Sequence, residues 1–97
     1  MFQLEVLSGP LDGKTWTFDR EISIGRDDAM VEACIPLDRY VSRRHAHLRA
    51  EGDGLTLTDL ESRNGTKLDG EAVTGDAKLG VGVPFTVGRT VLRVTRA

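Results

Sequence analysis

The chain has 97 residues, enough for one small domain and too few for a second hydrophobic core. Apolar residues make up 39% and charged residues 29%, a globular composition that argues against disorder or a fibrous repeat. Thirteen Lys+Arg against 15 Asp+Glu leave a formal charge of −2, too balanced for a protein that coats nucleic acid or an anionic membrane.

The dominant period along the chain is two. Phe2, Leu4 and Val6 alternate with Gln3, Glu5 and Leu7, the pattern of a half-buried strand. Ser8 to Gly13 is a turn cluster, after which Trp16 and Phe18 alternate with Thr15 and Thr17 in a second strand. Ile22 and Ile24 mark a third, which stops at Gly25. Asp27 to Cys34 has the makings of a helical turn, ended by Pro36. Ala46, Leu48 and Ala50 share one face of the next strand, with His45, His47 and Arg49 opposite. Gly52-Asp53-Gly54 is a hairpin signal leading into Leu55–Asp59. Asn64-Gly65 and Asp69-Gly70 each favour positive φ, and the chain closes with Phe85–Val87, a Gly88-Arg89 turn and Val91–Thr95. No window carries a 3.6-residue stripe. The expected fold is therefore all-β, an antiparallel β-sandwich of roughly eleven short strands spanning 1–97 as a single domain.

Two connections break the alternation, one from Arg26 to Arg44 and one from Glu61 to Lys67. Sandwich loops gather at the ends of the sheets, where binding sites lie. Here they bring Arg26, Arg43, Arg44, Arg63 and Lys67 to an otherwise acidic chain, which points to recognition of one anion. Gly25-Arg26, Ser42-Arg43-Arg44-His45 and Ser62-Arg63-Asn64-Gly65-Thr66 have the chemistry of a dianion receptor. Arginine forks make charge-assisted, often bidentate bonds to phosphate. A serine hydroxyl and the N–H groups of a tight turn supply further donors. Asn64 has an amide able to donate to and accept from an extended peptide, and Gly65 permits the positive φ that turns it outward.

This ordered triple of motifs resembles the forkhead-associated (FHA) domain, a phosphothreonine-binding module of the SMAD/FHA type. The flanks agree too: Leu7-Ser8-Gly9-Pro10, Ile35-Pro36-Leu37-Asp38 and Leu79 to Gly88. The resemblance covers essentially the whole chain. It implies that Arg26 and Ser42 hold the phosphate, that Arg43 and Arg63 add contacts to it, and that Asn64 binds the peptide main chain. Gly25, His45 and Gly65 would support the site, with His45 bridging loops beneath it. The family prefers phosphothreonine because the threonine methyl packs in a small pocket, and it commonly reads the third residue after it. The chain departs from the family in having Gly82-Val83 where Gly-Asp is common, and Lys67 where an aromatic or branched apolar residue follows N-G-T. Neither departure removes a phosphate contact.

Competing chemistries are poorly served. Ser42, His45 and Asp59 are triad residue types, but Ser42 lacks the G-x-S-x-G elbow and His45 follows only three residues on. Gly80-Val81-Gly82-Val83-Pro84-Phe85 has Phe85 in place of the third glycine of a dinucleotide fingerprint. Two histidines at i and i+2 make a weak metal set, and the lone Cys34, read as a small buried residue, excludes an internal disulfide. Few aromatics are present for base stacking, and no apolar run or leader-like N-terminus points to a membrane. The expectation is a cytoplasmic, non-catalytic module without cofactor or metal. Its partner would be a phosphothreonine protein, a Ser/Thr kinase or a kinase substrate. The alternative is a phosphate-independent interaction or dimerisation domain that uses a sheet face.

Overall fold

The computed structural model describes residues 1–97 and consists of eleven strands without an α-helix. They are β1 (Phe2–Ser8), β2 (Thr15–Phe18), β3 (Glu21–Gly25), β4 (Ala33–Cys34), β5 (Ala46–Glu51) and β6 (Gly54–Asp59), followed by β7 (Thr66–Leu68), β8 (Glu71–Ala72), β9 (Asp76–Leu79), β10 (Phe85–Val87) and β11 (Thr90–Arg96). A six-stranded sheet in the order β2-β1-β11-β10-β7-β8 packs on a five-stranded sheet in the order β4-β3-β5-β6-β9. No helix is long and apolar enough to cross a membrane.

The alternation read from the sequence sets the two inner faces. Phe2, Leu4, Val6, Phe85, Val87, Leu92 and Val94 from one sheet share a core with Ile22, Ile24, Ala46, Leu48, Leu55 and Leu57 from the other. Burying each large apolar side chain contributes roughly 1.5–3 kcal/mol, so this shared face fixes the register of both sheets. No buried side-chain nitrogen or oxygen lacks a hydrogen-bond partner.

The segment after Gly25 differs from the helical turn expected for Asp27–Cys34. One turn forms, with Asp27 O accepting from Met30 N and Val31 N, and Asp27 Oδ1 accepts from Ala29 N. The chain then extends into β4, which pairs parallel with β3 while every other strand pair is antiparallel. Ala33 is buried and Ile35 N donates to Gly25 O at 2.7 Å, so burial beside Ile24 outweighs local helix propensity. Strands β7, β8 and β9 are too short to show a period of their own.

The register places the end of β3, the start of β5, the end of β6, the start of β7 and the β10–β11 turn at one end of the sandwich. The connections 26–32, 35–45, 60–65 and 88–89 therefore converge there. Gly82-Val83 lies at the opposite end, where Gly82 N donates to Val94 O at 2.7 Å.

Candidate functional site

The site begins with a close approach of two backbones. A Cβ on Gly25 would lie 2.0 Å from the Arg43 carbonyl oxygen, so only glycine lets the loops meet. Arg26 N donates to Ser42 O at 3.0 Å and Asp27 N to Arg43 O at 3.4 Å. This pairing sets the exposed Arg26 side chain beside Ser42. Arg26 Nε donates to Val41 O at 2.9 Å, which orients the guanidinium and leaves its two terminal nitrogens without a hydrogen bond in the chain.

His45 ties the serine loop to the asparagine loop. It is fully buried; its Nδ1 accepts from Ser42 N at 2.9 Å, which leaves the proton on Nε2 to donate to Gly65 O at 2.8 Å. Burial pushes its pKa below the usual imidazole value, against the opposing pull of the Gly65 carbonyl and of Asp59 and Asp38. Ser42 Oγ accepts from Arg63 N at 3.0 Å, and the hydroxyl keeps its own proton for donation. Asn64 Nδ2 donates to Tyr40 O at 3.0 Å, leaving one amide N–H and Oδ1 for another partner. Gly65 has φ 82°, while Asn64 does not have positive φ.

The structure thus brings Arg26, Ser42, Arg63 and Asn64 together through a continuous set of bonds, with Gly25, His45 and Gly65 behind them. Arg43 joins through its carbonyl; Arg44 takes no part in these bonds. Arg26 and Arg43 also line a concavity of about 320 Å³ together with Asp27, Asp28, Cys34 and Pro36. Ion pairs form at His47–Glu21, Arg49–Glu51 and Arg93–Glu5, so none of Arg26, Arg43, Arg44 and Arg63 has a carboxylate partner. Four guanidinium groups without an ion-pair partner thus stand on the loops at one end of a net-negative chain, with Asp27 and Asp28 beside two of them.

Several residues that build the site lie outside the sequence motifs. Asp38 is 3% exposed; its Oδ1 accepts from Tyr40 N, and its Oδ2 from Arg89 N and Thr90 Oγ1. Asp59 Oδ1 accepts from Ser62 Oγ and Thr66 Oγ1, and Oδ2 from Ser62 N, which shapes the asparagine loop. Glu61 at the start of that loop has φ 56°, a strained value for a residue with a side chain. An aspartate heading a polar turn was the available signal for both carboxylates. Tyr40 contributes its carbonyl, which residue type does not reveal.

One reading is corrected. Cys34 is half-buried rather than enclosed, because β4 sits at the sheet edge; its Sγ donates to Arg26 O at 3.4 Å, and burial together with Asp28 and Asp27 raises its pKa. His47 is half-buried on the outer sheet face, with Nδ1 2.9 Å from Ser23 Oγ and Nε2 3.3 Å from Glu21. The triad types are not coupled: both ring nitrogens of His45 face backbone groups and Asp59 serves Ser62 and Thr66.

A two-sheet sandwich with this loop cluster defines the class, and comparison with known proteins agrees. Residues 5–97 match the family described as the cytoplasmic domain of the inner membrane component of T3SS (Yop-YscD_cpl), an FHA-like family. The chain is 38% identical over 93 residues to the FHA domain-containing protein FhaB of Mycolicibacterium smegmatis, covering 95% of this chain and 59% of that protein. It spans about three-fifths of the length of the curated relatives it matches. The FHA domain of the CT664 protein from Chlamydia trachomatis superposes with a TM-score of 0.90 at 22% identity, over 99% of this chain and 97% of that one. A structure described as "Structural and functional analysis of phosphothreonine-dependent FHA domain interactions" gives a TM-score of 0.82 at 29% identity, over 99% and 96%. The chain belongs to the forkhead-associated domain family.

Proposed function

We propose that the chain is a non-catalytic phosphothreonine-peptide-binding module that recruits phosphorylated partners in Ser/Thr-kinase signalling in the cytoplasm. The observation that carries this reading is Arg26. Its backbone N–H is held by the Ser42 carbonyl and its Nε by the Val41 carbonyl, and its terminal nitrogens have no hydrogen bond within the chain. A phosphate group brings about −1.5 to −2 charges and strong acceptor oxygens to such donors. An unmodified threonine offers no charge to the unpaired guanidinium groups, so discrimination follows from electrostatics.

In this reading Arg26 and Ser42 hold the phosphate, and Arg43 and Arg63 add charge around it. Asn64 uses its remaining N–H and Oδ1 on the peptide backbone, while Gly25, His45 and Gly65 maintain the loop geometry. The polar side chains are committed to binding and support, with no base set against a nucleophile. The FHA relatives, one described through phosphothreonine-dependent interactions, support the same assignment. The partner is a threonine-phosphorylated protein, a Ser/Thr kinase or its substrate.

Titration of a phosphothreonine peptide library against the same peptides unphosphorylated and phosphoserine-substituted tests the reading. Binding is expected only for phosphothreonine. Arg26→Ala is expected to cost roughly 2–5 kcal/mol of affinity, the range for truncating one partner of a hydrogen-bonded charge pair. Equal binding of phosphorylated and plain peptides would move recognition to a surface away from these loops, and a loss under about 1 kcal/mol in a folded variant would remove Arg26 as the anchor.

A further inference from the structure

The outer faces of the two sheets carry different chemistry. On the five-stranded sheet, Glu21, Arg49, Glu51, Asp76 and Lys78 all stand on the face away from the core and are exposed. The middle of the six-stranded sheet is nearly free of charge. With Leu4, Val6, Leu92 and Val94 turned inward, alternation sends Gln3, Glu5, Leu7, Val91, Arg93 and Thr95 outward along β1 and β11. Thr15 and Thr17 on β2 and Thr86 on β10 extend this face to either side. The only outward charges on these four strands are Glu5 and Arg93, and they satisfy each other, with Arg93 Nε 2.9 Å from Glu5 Oε1. Depletion of charge marks the middle of a protein interface, and a solvated sheet face has no need of it.

The face is also complementary to itself. Gln3 pairs with Thr95 and Glu5 with Arg93 across the β1–β11 boundary. A two-fold axis laid along that boundary, in the plane of contact, sets β1 of one copy over β11 of the other. Glu5 then meets the partner's Arg93, Leu7 meets the partner's Val91, and the threonines of β2 lie over the partner's Thr86. The molecule measures 32 × 25 × 23 Å, so a sheet face is comparable to the roughly 800 Å² per partner of a standard interface. We infer that the outer face of the six-stranded sheet is a two-fold interface between two copies of this chain. The axis runs parallel to the strands, so both loop ends emerge on the same side of the pair. One partner carrying two phosphothreonines can then engage both copies, a consequence that rests on the phosphopeptide reading above, whereas the interface does not.

Sedimentation equilibrium of the chain without peptide tests the interface. The mass is expected to rise from one chain toward two between about 1 and 300 μM. Leu7→Lys and Val91→Lys, each checked for folding by a thermal melt, should weaken association by roughly tenfold or more. Arg93→Glu should weaken it too, by setting acids against each other, and the exchanged pair Glu5→Arg with Arg93→Glu should restore it. Arg49→Ala on the other sheet should leave it unchanged. A chain that stays monomeric throughout overturns the inference. So does a dimer that survives both lysine variants, that the exchange fails to restore, or that Arg49→Ala weakens equally. A second arm titrates a peptide with two phosphothreonines joined by Gly/Ser spacers of about 5 to 20 residues. It should bind roughly tenfold or more tighter than the single-site peptide, and Val91→Lys should erase that gain. No gain in a protein that dimerises and binds the single-site peptide overturns the same-side arrangement alone. Failure to bind any phosphopeptide overturns the binding reading, and the sedimentation result still decides the interface.

Discussion

The two ends of the sandwich close their sheets by different means. At the end that includes the Gly52-Asp53 and Gly80–Pro84 turns, connections are short and mostly satisfy themselves: Gly52 takes φ 59° in a two-residue hairpin turn, and Val83 N donates to Gly80 O. At the loop end, side chains reach across the sequence to hold distant backbone. Ser42 binds Arg63 N, His45 binds Gly65 O, Asn64 binds Tyr40 O and Asp38 binds Arg89 N. A local turn depends on its own residues, whereas the loop end depends on a few polar groups that each join two segments. The loop end is therefore where single substitutions should disturb stability and recognition together.

Asp38→Ala is the severest way to separate the ends. It strands Tyr40 N, Arg89 N and Thr90 Oγ1, and Thr90 is fully buried. Hydrogen bonds to a charged acceptor each contribute about 1.5–3 kcal/mol, so the loss by denaturant unfolding should reach roughly 3–5 kcal/mol. A loss below about 1 kcal/mol would mean that the loops hold together without this carboxylate.

A matched glycine pair sharpens the comparison. Gly25→Ala drives a methyl into the Arg43 carbonyl and should cost roughly 2–4 kcal/mol, with phosphopeptide binding lost as the paired loops part. Gly52→Ala meets nothing within 4 Å and bears only the strain of its positive φ, about 1 kcal/mol. Similar melting shifts for the two variants would erase the distinction between the ends.

His45 adds a pH dependence to the loop end. Its folded-state pKa is lowered, so the unfolded chain takes up the proton first as pH falls. Stability is therefore complete above about pH 6.5, the unfolded imidazole value, and declines below it by at most about 1.4 kcal/mol per pH unit. Denaturant titrations between about pH 7.5 and 5.5 measure the slope without the phosphate group, which titrates near 6 and would complicate affinity data. His47→Gln is the control: the decline should persist in it, and a decline that vanishes would belong to the outer-face ring instead.

What was legible in the sequence follows the same division. The inward alternation of Phe2-Leu4-Val6, Ile22-Ile24 and Leu55-Leu57 is a local pattern, and it locates the core and both sheets. The Asp69-Gly70 dipeptide has positive φ at both residues, as its composition requires. β4 was not legible, because two residues carry no period and their pairing depends on Gly25 across a loop. In the site, the candidate binding side chains and the supports Gly25, His45 and Gly65 stand in motifs, whereas the supports Asp38 and Tyr40 do not. Asp38 acts on residues 51 and 52 positions away, and Tyr40 acts through a carbonyl that every residue has.

Ser42→Ala probes the smallest difference between holding a loop and holding a ligand. The hydroxyl accepts from Arg63 N, and its own proton remains free for donation. Arg63 is exposed, so water can replace the lost acceptor and stability should change by no more than about 0.5 kcal/mol. Removing one neutral donor while all the guanidinium groups remain should weaken phosphothreonine-peptide binding by about 1 kcal/mol, roughly fivefold by calorimetry. The Arg26→Ala loss should be clearly larger, since a charge goes with the donor. If Ser42→Ala instead equals Arg26→Ala while the melting temperature holds, the Arg63 loop must move when the hydroxyl leaves. Ser42 would then belong with Asp38 and His45 among the residues that shape the loops.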